Sequence, residues 1–379
     1  MRNTFIFLVA IIIFTNCAKT NNKKTELEIQ KADSTIRLQI PSFMSSSTRN
    51  LRYFKDNQIE YLAFENQFRE EIEVFNLATK EFVKTIKPQQ EGSNGIGSSL
   101  FGFDIVNFDT IFITTTGRGE TIFIIDSAAK IVNKIDFKIY YNPYLPIGDL
   151  LSSYGFKTNY DGKNIFLCNV SRTHDEAFEE IHNCSIGYCY NLATGDTSDY
   201  PLKHPNKSNI KDKILNSESS VIINSNKTIL SYPMGHQVFV SENNNEWKVY
   251  DLKSKYLKNP FSDAYADDVI ESVKKYVESS CYLALIYDKY RDVYYRFVYP
   301  GINVVQDDDV MKLSEFRRIF SIMVIDKDFN VLGETLMPEN TYNSNMFFIN
   351  EAGLWISADH PDNPNFDEDT ISFQLFTLK

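Results

Sequence analysis

Glycine and proline are scarce in this 379-residue chain, at 15 and 12 residues, which excludes collagen-like and low-complexity sequence. Histidine and cysteine are scarcer still, five of each. No His-Glu-x-x-His or Cys-x-x-Cys spacing occurs, so a zinc centre has little to build on. Gly-x-Ser-x-Gly is absent too, which removes the α/β-hydrolase nucleophile elbow. Cationic surplus is missing: 39 Lys and Arg face 50 Asp and Glu, a formal charge of −11, which argues against a nucleic-acid partner. What the chain has is aromatic mass. Its 22 Tyr and 29 Phe sit within 43% apolar residues, a composition that favours a β-rich core.

The N-terminus reads as an address. Arg2 precedes an unbroken apolar run from Phe5 to Phe14. Ten helical residues rise about 15 Å, half of a bilayer's hydrocarbon core, so the run is a signal-peptide core and too short to span. Cys17 follows at once, an arrangement similar to a bacterial lipoprotein signal, although Phe14 and Asn16 depart from the usual residues before the cysteine. An ordinary secretory signal is the alternative. Residues 1–16 are read as the signal, 17–34 as a polar tether from a lipidated Cys17, and 35–379 as the folded body. Cys168, Cys184, Cys189 and Cys281 remain after processing; export permits disulfides, and buried free thiols are equally compatible.

From residue 35 onward short strands alternate with turns, and one unit recurs: an apolar strand closed by Asn, Asp or Ser, then small and polar residues, then another strand. The closing residues are Asn76, Asp126, Asn191, Ser241 and Asp326, with a last strand reaching Thr377. They fall 50, 65, 50, 85 and 51 residues apart, which is the size of a four-stranded propeller blade with insertions. The final strand has no hairpin partner downstream, and the strand over residues 35–40 has none upstream. The spacing therefore predicts a six-bladed β-propeller whose N-terminal strand completes the last blade and hides both sheet edges. A two-sheet sandwich places this near-regular series poorly. One insertion carries apolar residues at 269, 270, 273, 276 and 277, predicting a helix near 264–279.

In such a fold the loops joining the second and third strands of each blade open on one face. Three of them are acidic here: one with His174, Asp175, Glu179 and His182, one with Asp308, and one with Asp359 and Asp362. The others bring Arg69, Arg118 and His236. This face is the expected ligand face, attractive to cationic groups or Ca²⁺. The segment 359–369 lacks the glycine and terminal Glu of an EF-hand, and Glu179-x-x-His182 lacks the facing helices of a di-iron bundle, so no cofactor is expected.

The most distinctive stretch is Tyr287-Asp288-Lys289-Tyr290-Arg291-Asp292-Val293-Tyr294-Tyr295-Arg296. It predicts a hairpin pairing residues 281–287 with 293–299, with Val293, Tyr295, Phe297 and Tyr299 on one face and Tyr294, Arg296 and Val298 on the other. Arg296 then either bonds a neighbouring carboxylate or carbonyl, or joins Tyr294 in gripping a ligand from the channel. This hairpin, the helix before it, the signal and the blade spacing resemble a family of uncharacterised Bacteroidota lipoproteins, six-bladed β-propellers of unknown function. The resemblance implies an envelope lipoprotein on the outer membrane, on its periplasmic side because acidic residues do not follow Cys17, and it carries no catalytic residues over. The reading is a monomeric binding module for an unknown protein or small molecule. A hydrolase or lyase acting on glycans or lactones at the channel mouth is the competing class.

Overall fold

A computed structural model describes residues 27–48, 50–115, 121–136, 159–168, 185–205, 219–224, 226–258 and 268–379. Six four-stranded antiparallel sheets form a β-propeller. Blade one is β2 (Leu51–Asp56), β3 (Ile59–Asn66), β4 (Glu71–Asn76) and β5 (Phe82–Ile86). Blade two is β6 (Leu100–Asn107), β7 (Thr110–Thr115), β8 (Thr121–Ile125) and β9 (Ile131–Asp136). Blade three is β10 (Asn159–Tyr160), β11 (Asn164–Cys168), β12 (Gly187–Asn191) and β13 (Thr197–Asp199). Blade four is β14 (Ser220–Asn224), β15 (Lys227–Ser231), β16 (Gln237–Glu242) and β17 (Lys248–Asp251). Blade five is β18 (Cys281–Asp288), β19 (Val293–Tyr299), β20 (Ser321–Asp326) and β21 (Val331–Leu336). Blade six is β22 (Asn343–Ile349), β23 (Leu354–Ser357) and β24 (Thr370–Leu378), completed on its outer edge by β1 (Ile29–Gln39).

The closure by the N-terminal strand is therefore as the spacing requires. One boundary differs. β1 begins at Ile29, inside the segment read as tether. Its register against β24 breaks between Lys31 and Thr35, so Ala32, Asp33 and Ser34 form a bulge while Ile29 and Ile36 stay buried on either side. Leu27 reaches further, donating its backbone N–H to the Leu332 carbonyl of blade five. A Cβ on Gly333 would stand 2.1 Å from the Leu27 carbonyl oxygen, so only glycine lets the two backbones approach this closely.

The recurring turn residue has a local cause. Asn76 Oδ1 accepts from the N–H groups of Ala78 and Thr79, and Asn191 Oδ1 from those of Ala193 and Thr194. Asp126 and Asp326 do the same with the residues two and four further on. Each of these four side chains closes the turn between third and fourth strands of its blade, whereas in blade four the Ser241 hydroxyl donates to the Asn245 carbonyl. Between turns the middle strands are apolar on both faces because blades pack on both sides. On β3, Leu62 and Phe64 face blade six while Ala63 faces blade two. On β20, Met323 and Ile325 face blade four while Ile322 and Val324 face blade six.

Two helices occur among the described residues. α1 (Val269–Glu278) stands where the apolar periodicity places a helix; Asp268 caps it by accepting from the Glu271 N–H. α2 (Val310–Glu315), capped by Asp309, is unexpected, since six residues are too few to show a helical period. Both lie in long loops on one side of the ring.

Candidate functional site

The face expected to bind ligand is held together by its own side chains. Asp308 accepts from Arg318 at 2.9 Å, and Asp362 from Lys312 at 2.6 Å. The Val305 N–H and then Arg318 hold Asp308 below the usual carboxylate range, and Lys312 does the same for Asp362. Arg69 binds the buried Glu71, which also takes Lys87 at 3.0 Å, and lies over the Phe43 ring. His236 Nδ1 pairs with the Tyr282 hydroxyl at 2.8 Å, and burial lowers its pKa. Asp359 is buried and accepts from the Ser372 N–H and the Ser357 hydroxyl. Arg118, His174, Asp175, Glu179, His182 and Cys17 lie outside the described residues. So does Cys184; Cys189 and Cys281 are free thiols. Among the described residues no three His, Cys, Asp or Glu side chains group to hold a metal ion.

Burial pushes the Asp359 carboxyl up from 3.8 to about 6. A carboxyl that binds its proton more tightly folded than unfolded stabilises the fold below the lower value and loses that contribution as pH rises through the higher one. Asp359→Asn keeps both acceptor contacts and removes the ionisation. It is expected to match the parent at pH 4 and to be about 2 kcal/mol more stable at pH 8, measured by urea denaturation. Equal stability at both pH values would refute the assignment.

The distinctive hairpin pairs the two predicted strands: Cys281 opposes Tyr299 as expected, but a bulge between Tyr282 and Leu285 shifts the rest by one residue, so Tyr287 opposes Tyr294. Its faces divide as expected. Val293, Tyr295, Phe297 and Tyr299 pack with blade six, and Tyr294 and Val298 with blade four. The ligand-gripping alternative for Arg296 and Tyr294 is not what the side chains do. Both lie on β19, one strand away from the channel, and both are buried. Arg296 donates to the carbonyls of Tyr232, Gly235, His236 and Leu252, with its guanidinium 3.5 Å from the Tyr282 ring centre. Burial away from a carboxylate contact lowers its pKa to about 10. Asp288 is the turn's keystone. Fully buried, it accepts from the N–H groups of Tyr290 and Arg291, from the Arg291 guanidinium at 2.9 Å and from the Tyr295 hydroxyl. Arg291 in turn donates to the carbonyls of Asn350 and Glu351, tying this loop to blade six.

That turn stands at the rim of a cavity of about 460 Å³ in the central channel. The walls come from the inner strands: Leu51–Lys55 on β2, Ile105 and Val106 on β6, Val221–Asn224 on β14, Leu285–Tyr287 on β18 and Phe347–Ile349 on β22. Asn159 of β10 joins them, and Lys289 and Tyr290 add the loop. Strand direction places this mouth opposite the acidic loops, on the face where the first and second strands of each blade connect. Val106, Ile222, Ile223, Ile286 and Ile349 are only partly buried, so apolar surface faces water inside a concavity. Tyr53 donates to Glu60 at 2.6 Å, with the Tyr290 hydroxyl in hydrogen-bonding reach, and Tyr287 donates to Asp292 at 2.8 Å. Burial first, then these carboxylates, raises the pKa of Tyr53 and Tyr287, so both hydroxyls stay protonated at neutral pH.

A family model described as a domain of unknown function, DUF4221, matches residues 26–336. The chain belongs to this family. A DUF4221 member from Bacteroides vulgatus superposes with a TM-score of 0.80 at 23% identity, over 94% of this chain and 99% of that one. A Bacteroides fragilis protein described as exported superposes with a TM-score of 0.52 at 12% identity, over 94% and 97% of the two chains. Among curated proteins no match is found. The matched DUF4221 region holds the described channel walls contributed by blades one to five, including Tyr287, Lys289 and Tyr290.

Of this site, only the hairpin turn stands out in the sequence. Tyr53, Lys55, Ile222 and Ile223 carry no signal that separates them from ordinary blade residues. The inner strands are short and apolar whether a side chain faces a neighbouring blade or the channel.

Proposed function

We infer that this DUF4221 chain is a ligand-binding propeller of the cell envelope, exported by its N-terminal signal and lipid-anchored at Cys17, and that its ligand enters the channel mouth beside Tyr287 and Tyr290. The observation that carries the reading is the composition of the cavity wall. It offers apolar surface, Tyr, Asn and three cations, with no Asp, Glu, His, Cys or Ser among the described lining residues. A hydrolase or lyase acting on glycans or lactones needs an acid and a base converging on the substrate. A binding site needs only shape and a few placed polar groups. The acidic loops opposite were the other place for a ligand. Asp308 and Asp362 there already pair with Arg318 and Lys312 of the same chain, which favours the channel mouth.

The signal features at residues 2–17 and the likeness to a protein described as exported support the envelope location. No helix among the described residues is long and apolar enough to cross a membrane, which accords with tethering through lipid.

Ile223→Trp fills the channel mouth and serves as the blocked control. In a thermal-shift screen of small metabolites, hits are expected to stabilise the parent by about 2–3 kcal/mol at a hundredfold excess over Kd, several degrees in Tm, and to leave Ile223→Trp unmoved. Hits should be recovered chemically unchanged. Turnover of a hit, or equal stabilisation of both proteins, would refute this function.

A further inference from the structure

The charges at the channel mouth are unequal in a way that selects a ligand. Arg52, Lys55 and Lys289 line the cavity, and no carboxylate does among the described residues, although the whole chain is acidic. Two of the three cations are spent. Arg52 is buried against Asp104 at 3.2 Å, and Lys55 bridges Glu60 and Glu351 at 3.2 and 2.9 Å. Lys289 is exposed and stands 5.1 Å from the Tyr290 ring centre; its charge helps Lys55 hold the Glu351 carboxyl low, but it forms no close ion pair among the described residues. It sits on the loop that Asp288 and Arg291 pin to blade six, so its backbone is fixed while its ammonium group is available.

Below this cation the wall is apolar. From Lys55 back to Leu51 the inner strand of blade one descends about 13 Å from the mouth, four residue steps at about 3.3 Å each. Ile222, Ile223, Ile286 and Ile349 present partly exposed side chains along comparable stretches of their strands. A sugar placed here would find Tyr and Asn partners for only some of its hydroxyls, and each one turned toward isoleucine unpaired would cost about 1–3 kcal/mol. A cationic ligand would meet Lys289 and Lys55. The chemistry that satisfies both regions is an apolar body ending in one negative charge.

We propose that the channel mouth takes an aliphatic carboxylate, its chain among the isoleucines and its carboxylate on Lys289. This rests on the reading of the channel mouth as the ligand site. The tether enters on the same side: β1 starts beside the end of β24, on the face where the cavity opens, so an acidic amphiphile leaving a membrane would meet the open end.

The test compares three ten-carbon probes, decanoate, decanol and decyltrimethylammonium, by calorimetric titration below their micelle concentrations. The protein is used as parent, as Lys289→Gln, and with the mouth blocked by Ile223→Trp. Val106→Trp is a second block at a more exposed rim position, in case the first fails to fold. Decanoate is expected to bind the parent at least tenfold more tightly than either other probe. Lys289→Gln should weaken decanoate about fivefold to tenfold and leave decanol unchanged, and the blocked variant should bind none. Equal affinity for all three probes, lost on blocking, overturns the carboxylate assignment and leaves the site standing. Decanoate binding that survives a folded blocked variant overturns the site itself. Failure of all three probes to bind the parent overturns the carboxylate assignment, with the metabolite screen then judging the site separately.

Discussion

A chain lacking residues 1–39 is expected not to close into a ring. Those residues include β1, whose Ile29, Ile36 and Leu38 are 3%, 8% and 0% exposed. Burying each is worth about 1.5–3 kcal/mol, so the three together contribute about 5–9 kcal/mol. That equals much or all of the roughly 5–15 kcal/mol by which a domain is stable. The loss is compounded at β24, a nine-residue strand that would become a bare edge open to pairing with other chains. Gel filtration and circular dichroism should find aggregated or loosely folded material. Leu38→Asp, a single charge in the same seam, should lower the urea midpoint steeply in an otherwise complete chain. A monomeric truncated chain with the parent's melting temperature would show that β1 is an accessory strand.

Arg296→Ala is expected to cost about 3–5 kcal/mol, less than the roughly 6 kcal/mol of its contacts because alanine is spared the desolvation of a buried charge. The guanidinium makes four hydrogen bonds to carbonyls, each worth about 1 kcal/mol net, and stacks on Tyr282 out of water, worth about 2 more when desolvated. Three of those carbonyls, of Tyr232, Gly235 and His236, belong to one loop of blade four, so the side chain is the bolt between blades four and five. Arg296→Lys keeps charge and stem length, yet one ammonium cannot reach the spread of acceptors that a planar fork spans, so it should recover less than half of the loss. Equilibrium urea denaturation of the three proteins checks this. A loss below 1 kcal/mol for the alanine variant would mean that the loop is held by something else.

The architecture was legible because its cause is local. Asn76, Asp126, Asn191 and Asp326 each close a turn with their own side chain, and a residue fixed by local chemistry repeats visibly. The hairpin faces were legible for the same reason, since alternation on β19 is set by the strand itself. The site was not. Its wall is assembled from short stretches of all six inner strands, and side chains facing the channel are the same isoleucines and phenylalanines that face the next blade. The ion pairs of the acidic loops were hidden for a related reason. Asp308 and Asp362 are conspicuous as acids in loops, while Arg318 and Lys312, ten and fifty residues away, become their partners only in the folded ring. The motif around Tyr287 holds residues of two kinds. Arg296 and Tyr294 are packing, and Tyr287, Lys289 and Tyr290 reach the cavity.

The channel mouth as the ligand site is tested most directly by a crystal structure of the protein grown with decanoate. The account predicts an aliphatic chain lying between Ile223, Ile286 and Phe348 with its carboxylate against Lys289. Decanoate bound on the opposite face beside Asp308 and Asp362, with the channel empty, would contradict it.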